Sequence, residues 1–291
     1  MKIEVDIVNA FVDGDQGGNP AGVVVDANSL AHEQKLCIAK RVGLSETAFV
    51  SKSSIATIKL EFFTPNRQIA HCGHATIATF SRLSELGLIP SGRMSKETID
   101  GVREIIIDGD MAYMEQKSPQ YNDISLNSPS GHIVLNSLGI DPDAVTGSNF
   151  SVVNTGNSFL IVPLVGEISV RNLRPNMSLI NEVSEEFDLI GYYVFSTHVE
   201  NPGRHAGARM FAPRFGIEEE SATGMAAGPL ACYLYDRLGL KEQTLYIEQG
   251  RLMTPPSPSV IQVNLSISNN KIVQLMAGGK GRSVKTITID I

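Results

Sequence analysis

The chain has 291 residues, of which 42% are hydrophobic and 19% charged, a composition that excludes a disordered protein and indicates a globular one. The net charge of −7 comes with no clustered basic face, which argues against a nucleic-acid-binding protein and leaves small molecules as the expected partners. No run of 18 apolar residues and no leader-like start is found, so we expect no membrane association. The three cysteines have no paired spacing, which predicts free thiols and a cytoplasmic protein.

Short strands and two helices are predicted for the first part of the chain. Strands are expected where apolar residues alternate or cluster, over 3–8, 23–25, 55–63, 105–107 and 111–114. The last two flank Asp108-Gly109-Asp110, which predicts a hairpin. Helices are expected over 29–42, where Gly43 gives a stop signal, and over 70–86.

The helix predicted over 70–86 is the most informative of these elements. Its small and apolar residues are spread around the helical wheel, which indicates a helix buried on nearly all sides. Such a helix must still satisfy its first backbone N–H groups, and these emerge beside Gly73, whose missing side chain lets another group approach closely. The start of this helix is therefore a candidate anion-binding site.

The second part of the chain begins after a stretch rich in Ser, Pro and Asn at 117–131, which is the best candidate for a domain boundary. Helices are expected over 133–138 and 176–187. Strands are expected over 151–153, 158–162, 189–196, 208–211, 244–248, 260–267 and 284–291. Many strands for each helix predict an α+β fold, in which each half is a sheet curled around its helix.

An internal repeat supports two such domains. Phe63-Thr64-Pro65 precedes Gly73-His74-Ala75-Thr76, and Phe211-Ala212-Pro213 precedes Ala222-Thr223-Gly224-Met225, with an apolar helix after each. We therefore predict two similar domains, residues 1–122 and 123–283, with the strand at 284–291 returning to the first. The two helix starts are expected to meet across a cleft.

Several residues near these turns could carry chemistry. Glu46 lies between Leu44 and an apolar strand, where partial removal from water would suit a carboxylate that shuttles protons; it could equally be a solvated glutamate at a strand start. Cys72 could be a thiolate, because a helix N-terminus lowers the pKa of a thiol, or a small buried side chain. His71 and His74 have no second Cys or His pair nearby, so no metal site is predicted.

Four motifs follow one another along the chain: Gly18-Asn19-Pro20-Ala21, Ser45-Glu46-Thr47-Ala48-Phe49, Phe63-Thr64-Pro65 with Gly73-His74-Ala75-Thr76, and Arg209 to Pro213 with Glu220 to Ala226. As an ordered set they resemble the PhzF-like isomerase family, the phenazine-biosynthesis relatives within the diaminopimelate-epimerase-like fold, in which a mixed sheet or barrel wraps around a central helix in each domain. The resemblance implies two pseudo-symmetric domains, commonly a homodimer, and an isomerase that needs no cofactor and acts on a small carboxylate-bearing substrate.

The resemblance also implies roles for individual residues. Glu46 matches the family's general acid/base, and Gly73 and His74 match its substrate-binding turn. The family's Asp-Pro-Ala-Thr-Gly-Ser stands here as Glu220-Ser221-Ala222-Thr223-Gly224-Met225, so that Glu220, Thr223 and Gly224 are expected to bind substrate. Asn19, Cys72 and Ser221 are secondary candidates.

Two alternatives stay open at this point. Cys72 aligns with the first catalytic cysteine of diaminopimelate epimerase and proline racemase relatives, whose second cysteine would fall at Ser221, which makes a racemase the second hypothesis. The altered residues between Glu220 and Met225 would also suit a binding protein for small acids that has lost its chemistry.

Overall fold

The computed structural model describes all 291 residues, which form two compact units. Unit 1 comprises Met1–Glu115 and Gly278–Ile291, and unit 2 comprises Gln116–Ala277. None of the helices combines the length and the apolar character that crossing a membrane would require. The three cysteines are free thiols, as predicted.

The secondary structure consists of six helices and 17 strands, with two short 3₁₀ turns. The first part of the chain forms β1 (Lys2–Ala10), β2 (Asn19–Val24), α1 (His32–Val42), β3 (Thr47–Ser51), β4 (Ile58–Phe63), β5 (Gln68–Ile69), α2 (Gly73–Glu85), β6 (Gly92–Thr98), β7 (Gly101–Asp108) and β8 (Met111–Lys117). The remainder forms β9 (Gln120–Ser125), α3 (Pro129–Leu138), β10 (Asn149–Asn154), β11 (Ser158–Pro163), α4 (Glu167–Arg171), α5 (Met177–Glu186), β12 (Gly191–Ser196), β13 (Ala206–Ala212), β14 (Ile217–Glu220), α6 (Gly224–Asp236), β15 (Thr244–Gln249), β16 (Ser259–Ser268) and β17 (Lys271–Asp290).

The strands of unit 1 close into an eight-stranded barrel. β1 pairs with β17 and β2, and the pairing continues through β3, β4, β6, β7 and β8, which returns to β17. The β2–β3 and β4–β6 pairs are parallel. Parallel neighbours have their N-terminal ends on the same side, so the start of β2 lies beside the residues that lead into β3.

Helix α2 is the central helix of this barrel. It packs against β1, β2, β3 and β7, and nine of its 13 residues are buried, including Phe80 with no exposed surface. Burial of one such aromatic side chain stabilises the fold by about 1.5–3 kcal/mol. The predicted arrangement of a sheet wrapped around a helix is thus confirmed in unit 1.

Unit 2 has a mixed sheet of its own. β9, β10, β11, β12, β13, β15 and β16 pair in that order, with β11–β12 and β13–β15 parallel. Helix α6 packs on β10, β11, β15 and β16 and buries 11 of its 13 residues. Helices α3 and α5 pack against each other beside a second apolar cluster. The α+β class predicted from the sequence is confirmed.

The stretch at 117–131, the candidate for a domain boundary, contains β9 and the first residues of α3. β9 gains its structure by antiparallel pairing with β10, in which Ile124 faces Phe150. Ser128 caps α3 by accepting a hydrogen bond from the Gly131 N–H, and Pro129 fits the first helical position. The polar residues of this stretch therefore serve as strand and cap residues.

Candidate functional site

Glu46 lies immediately before β3, at the end of the barrel where β2 and β3 both begin. Its backbone carbonyl accepts a hydrogen bond from the Gly22 N–H at 3.0 Å, which continues the parallel pairing of the two strands. The residue is only 8% exposed. Asn19, also buried, begins β2 on the same side. Strand pairing thus fixes the backbone of Glu46 and removes its side chain from bulk water.

The start of α2 supplies the other groups. Cys72 is the N-cap residue in an extended conformation, Gly73 is the first helical residue, and His74 follows. All three are buried. The N–H groups of a helix's first turn have no carbonyl partner within the helix, and no acidic side chain occupies this turn. The helix start therefore presents donors and a partial positive charge to an incoming anion.

Glu46, His74 and Cys72 form a continuous chain of contacts. His74 Nε2 lies 3.3 Å from Glu46 Oε2, and on the opposite side of the ring Nδ1 lies 3.5 Å from Cys72 Sγ. The contact with Glu46 is within hydrogen-bond distance but bent, so it is mainly electrostatic. Catalytic contacts are often poorly aligned before substrate binds. The imidazole therefore lies between a thiol and a carboxylate.

The sequence left two states open for Cys72, a thiolate and a small buried side chain, and burial favours the second. Burial raises the pKa of Cys72, and the nearby carboxylate of Glu46 also raises it. His74 and the backbone N–H of Ala75 oppose this effect, but they do not outweigh burial. The sulfur therefore keeps its proton at neutral pH, although it lies at a helix start.

The ligand-type atoms of Glu46, Cys72 and His74 lie within 4.8 Å of one another, which raises the question of a metal ion. A single ion can bind only one nitrogen of an imidazole ring. In this structure the sulfur and the carboxylate contact opposite nitrogens. Binding through all three residues would require one of these contacts to break, so we do not assign a metal site here, and the prediction that no metal takes part stays a prediction.

A buried lysine supports the same turn and was not found from the sequence. Lys96, in β6, has no exposed surface; its Nζ donates a hydrogen bond to Thr76 Oγ1 at 2.6 Å and lies 3.4 Å from His71 Nδ1. Thr76 in turn donates to the carbonyl of Cys72 at 2.6 Å. Burial lowers the pKa of Lys96 to about 7. Burial likewise lowers the pKa of His71, assisted by the charge of Lys96, so that its ring stays neutral.

Unit 2 contains the repeated turn. Glu220 ends β14, Thr223 is the N-cap of α6, and Gly224 is the first helical residue. Thr223 Oγ1 donates a hydrogen bond to Glu220 Oε2 at 2.6 Å. The side chains of Glu220 and Thr223, both predicted to bind substrate, are therefore hydrogen-bonded to each other directly.

Gln249, at the end of β15, organises this second turn. Its Oε1 accepts hydrogen bonds from the Thr223 N–H at 3.0 Å and the Tyr193 hydroxyl at 2.9 Å. Its Nε2 donates to the Glu220 carbonyl at 2.6 Å and to Thr223 Oγ1 at 3.2 Å. Both ends of the amide are used, which fixes its orientation. The adjacent Gly250 has φ +79°, and a Cβ there would lie 2.1 Å from the carbonyl oxygen of Ser257; glycine is therefore required after Gln249.

The structure thus places the predicted residues in two groups. Asn19, Glu46, Cys72, Gly73 and His74 belong to unit 1, where the last four form one cluster. Glu220, Ser221, Thr223 and Gly224 belong to unit 2. Lys96 and Gln249 are supporting residues that were not predicted as site candidates from the sequence. Gln249-Gly250 matches a Gln-Gly pair of the family that the sequence resembles, whereas a lysine within a strand gives no sign of burial.

Comparisons with known proteins agree with this architecture. Residues 8–286 match the model of the family described as phenazine biosynthesis-like protein. The chain is 30% identical over 290 residues to an uncharacterized isomerase, YddE, of Escherichia coli O157:H7, covering 96% of this chain and 95% of the relative. It is 27% identical to a trans-2,3-dihydro-3-hydroxyanthranilate isomerase of Pseudomonas chlororaphis, covering 78% of each. The crystal structure of a PhzF-family protein of Bacillus anthracis superposes over the whole of both chains with a TM-score of 0.89 and 25% identity.

Proposed function

This chain belongs to the phenazine biosynthesis-like (PhzF) family of isomerases, and we propose that it moves a proton on a small carboxylate-bearing metabolite by general acid/base catalysis at Glu46. The observation that carries the proposal is the buried carboxylate of Glu46, whose Oε2 lies 3.3 Å from His74 Nε2. A general base must be held in place and shielded from water, and both conditions apply to this side chain.

The start of α2 supports a carboxylate-bearing substrate. A bound carboxylate would accept hydrogen bonds from the first-turn N–H groups of Gly73 and His74, where the helix dipole stabilises an anion by roughly 0.3–2 kcal/mol. Gly73 has no side chain to obstruct this approach. We propose that this binding brings the substrate carbon next to Glu46, which removes a proton from one carbon and returns it to another.

His74 is proposed to position Glu46 and the substrate. Its ring contacts the carboxylate and is held on the other side by Cys72. Because the ring is fixed from both sides, it loses little conformational freedom when the transition state forms. It is therefore already in position to stabilise that state.

We also propose that the turn of unit 2 binds substrate. The side chain of Glu220 is held by Thr223, which is held in turn by Gln249, so both substrate-facing candidates are preorganised. The start of α6 provides a second set of first-turn N–H groups beside Gly224. That the two helix starts act on one substrate stays a prediction from the internal repeat.

A racemase that uses Cys72 is the rival enzyme. Such an enzyme needs a thiolate on one face of the substrate carbon and a thiol on the other. Burial raises the pKa of Cys72, and the residue that aligns with the second cysteine is Ser221. These observations favour Glu46 as the proton carrier.

The proposal can be tested by incubating the purified protein in deuterium oxide with a panel of small carboxylic acids, including trans-2,3-dihydro-3-hydroxyanthranilate. We expect at least one acid to gain deuterium at carbon and to yield a constitutional isomer, detected by NMR and mass spectrometry. Deuterium gain with inversion at the same carbon and no change of constitution would support the racemase. Binding of small acids without any exchange would support a binding protein and contradict the proposed isomerase.

A homodimer and a cytoplasmic location are proposed from the family resemblance and from the unpaired cysteines. Light scattering coupled to size-exclusion chromatography would report a mass near twice 31.4 kDa for a dimer. A mass of one chain at micromolar concentration would contradict that part of the proposal.

A further inference from the structure

The contacts on the two sides of His74 constrain where its ring carries a proton. Nδ1 faces Cys72 Sγ at 3.5 Å and Nε2 faces Glu46 Oε2 at 3.3 Å. A neutral imidazole has one N–H and one bare nitrogen, so one of these contacts must involve the donor and the other the acceptor. The identity of the donor depends on what the sulfur and the carboxylate can offer.

The sulfur is the group that decides between the two tautomers. A carboxylate only accepts hydrogen bonds, whereas a thiol can donate one. Burial keeps Cys72 in the thiol form, and the Ala75 backbone N–H faces the sulfur as a donor. The S–H is then available for Nδ1, which leaves the ring proton on Nε2.

The opposite arrangement is electrostatically unfavourable. A proton on Nδ1 would direct the Nε2 lone pair at the carboxylate of Glu46, so that two regions of negative charge would lie 3.3 Å apart. The site is buried, and a low local dielectric makes such an unfavourable contact more costly. A doubly protonated ring would direct a second N–H, from Nδ1, at a sulfur that the Ala75 backbone N–H already faces, and it would lie in the first turn of α2 at the positive end of the helix dipole. The carboxylate of Glu46 acts in the opposite direction.

We propose that Cys72 is a positioning residue that holds His74 in the Nε2–H tautomer, so that the ring directs its N–H at the Glu46 carboxylate. The catalytic part of this inference rests on the proposed function, because it assumes that Glu46 carries the proton. Cys72 forms no bond with the substrate in this account. It acts through the ring, whose Nε2 faces the Glu46 carboxylate and orients it.

The tautomer can be measured without a substrate. Two-dimensional ¹H–¹⁵N spectra that correlate the ring nitrogens with the ring protons distinguish a protonated nitrogen from a bare one, and a His74→Gln variant assigns the signals. We expect Nε2–H in the wild type at pH 7 and in Cys72→Ser, whose hydroxyl can also donate. Cys72→Ala should weaken this preference, because only the contact with Glu46 then favours a proton on Nε2. Cys232→Ala removes another buried thiol, in α6, and should leave the His74 signals unchanged.

The activity readout uses whichever acid exchanges deuterium in the test of the proposed function. Cys72→Ala should reduce kcat roughly 2- to 10-fold, the effect of losing one hydrogen bond that positions the ring, while Cys72→Ser keeps most of it. An Nδ1–H or doubly protonated His74 in the wild type would overturn the inference even if Glu46 proves catalytic. An Nε2–H tautomer that persists unchanged in folded Cys72→Ala would also overturn it. If instead the tautomer depends on Cys72 but Glu46→Gln stays fully active, the proposed function fails and the tautomer assignment stands.

Discussion

Replacing Lys96 by methionine should change how the stability of the fold depends on pH. The ammonium group is fully buried in β6, hydrogen-bonded to Thr76 and 5.3 Å from the centre of the Phe62 ring. Its pKa is lowered from 10.5 to about 7, mainly by burial; Arg103 also lowers it, while Cys72 and Asp100 raise it. Methionine has a similar length and no charge, so Lys96→Met removes the titrating group and keeps most of the packing.

The sign follows from proton binding in the two states. Below about pH 7 the lysine holds its proton in both the folded and the unfolded chain, and the wild type bears the full cost of a buried charge. Above pH 7 the folded chain loses the proton first, so the unfolded chain binds more protons and stability rises with pH. The free energy of unfolding of the wild type should therefore rise relative to that of Lys96→Met by roughly 2–3 kcal/mol between pH 7.5 and 9.5. Over the whole interval up to the unfolded pKa, this rise should be on the order of 3–5 kcal/mol.

The assay is urea unfolding of both proteins at several pH values, followed by far-ultraviolet circular dichroism, since the chain has no tryptophan. Lys2→Met, at an exposed position of β1, is the matched control and should shift the unfolding free energy by a constant amount because its ammonium stays in water. A difference between wild type and Lys96→Met that stays constant from pH 7 to 9.5 would refute the reasoning.

Three further predictions concern the second turn and the chemistry. Gln249→Leu should lower the free energy of unfolding by about 2–4 kcal/mol, because the buried Thr223 N–H and the buried Tyr193 hydroxyl lose their acceptor. Gln262→Leu in β16 should lower it much less, and equal losses in urea titrations would contradict this prediction. Gly250→Ala should lower the melting temperature more than Gly147→Ala, since both have positive φ but only the first is crowded by a carbonyl oxygen, and calorimetry compares them. Exhaustive chelation should leave deuterium exchange unchanged, and loss of exchange restored by one divalent metal would show that the metal-independent mechanism is wrong.

The central helix and the position of Glu46 could be predicted because they depend on local patterns. Small and apolar residues around the helical wheel indicated a buried helix over 70–86, and the structure has α2 at Gly73–Glu85. The start moves by three residues because the chain before it pairs as β5 and then runs extended through Cys72. The hairpin at Asp108 and Met111 is confirmed as well, because its turn signal is local.

The supporting contacts could not be predicted, because they depend on which strands meet around the helix. Lys96 would ordinarily be assigned to the surface, and it is buried only because β6 closes against β4 and the start of α2. The ring of His74 meets Glu46 and Cys72 on opposite sides through the packing of α2 against β2 and β3. The state of the Cys72 thiol stayed open for the same reason: the sequence indicates a helix start, which lowers a thiol pKa, but not the depth of burial, which raises it.

Deuterium exchange by a Glu46→Gln variant tests the central claim most directly. Glutamine keeps the shape of the side chain but cannot accept and return a proton at neutral pH. Glu61→Gln, in the neighbouring strand β4, is the matched control. It makes the same substitution at a half-buried carboxylate and breaks the ion pair of Glu61 with Lys35. With the acid that the wild type exchanges, we predict that Glu46→Gln loses exchange by at least about 100-fold and that Glu61→Gln retains it. Full exchange by a folded Glu46→Gln protein would contradict the account.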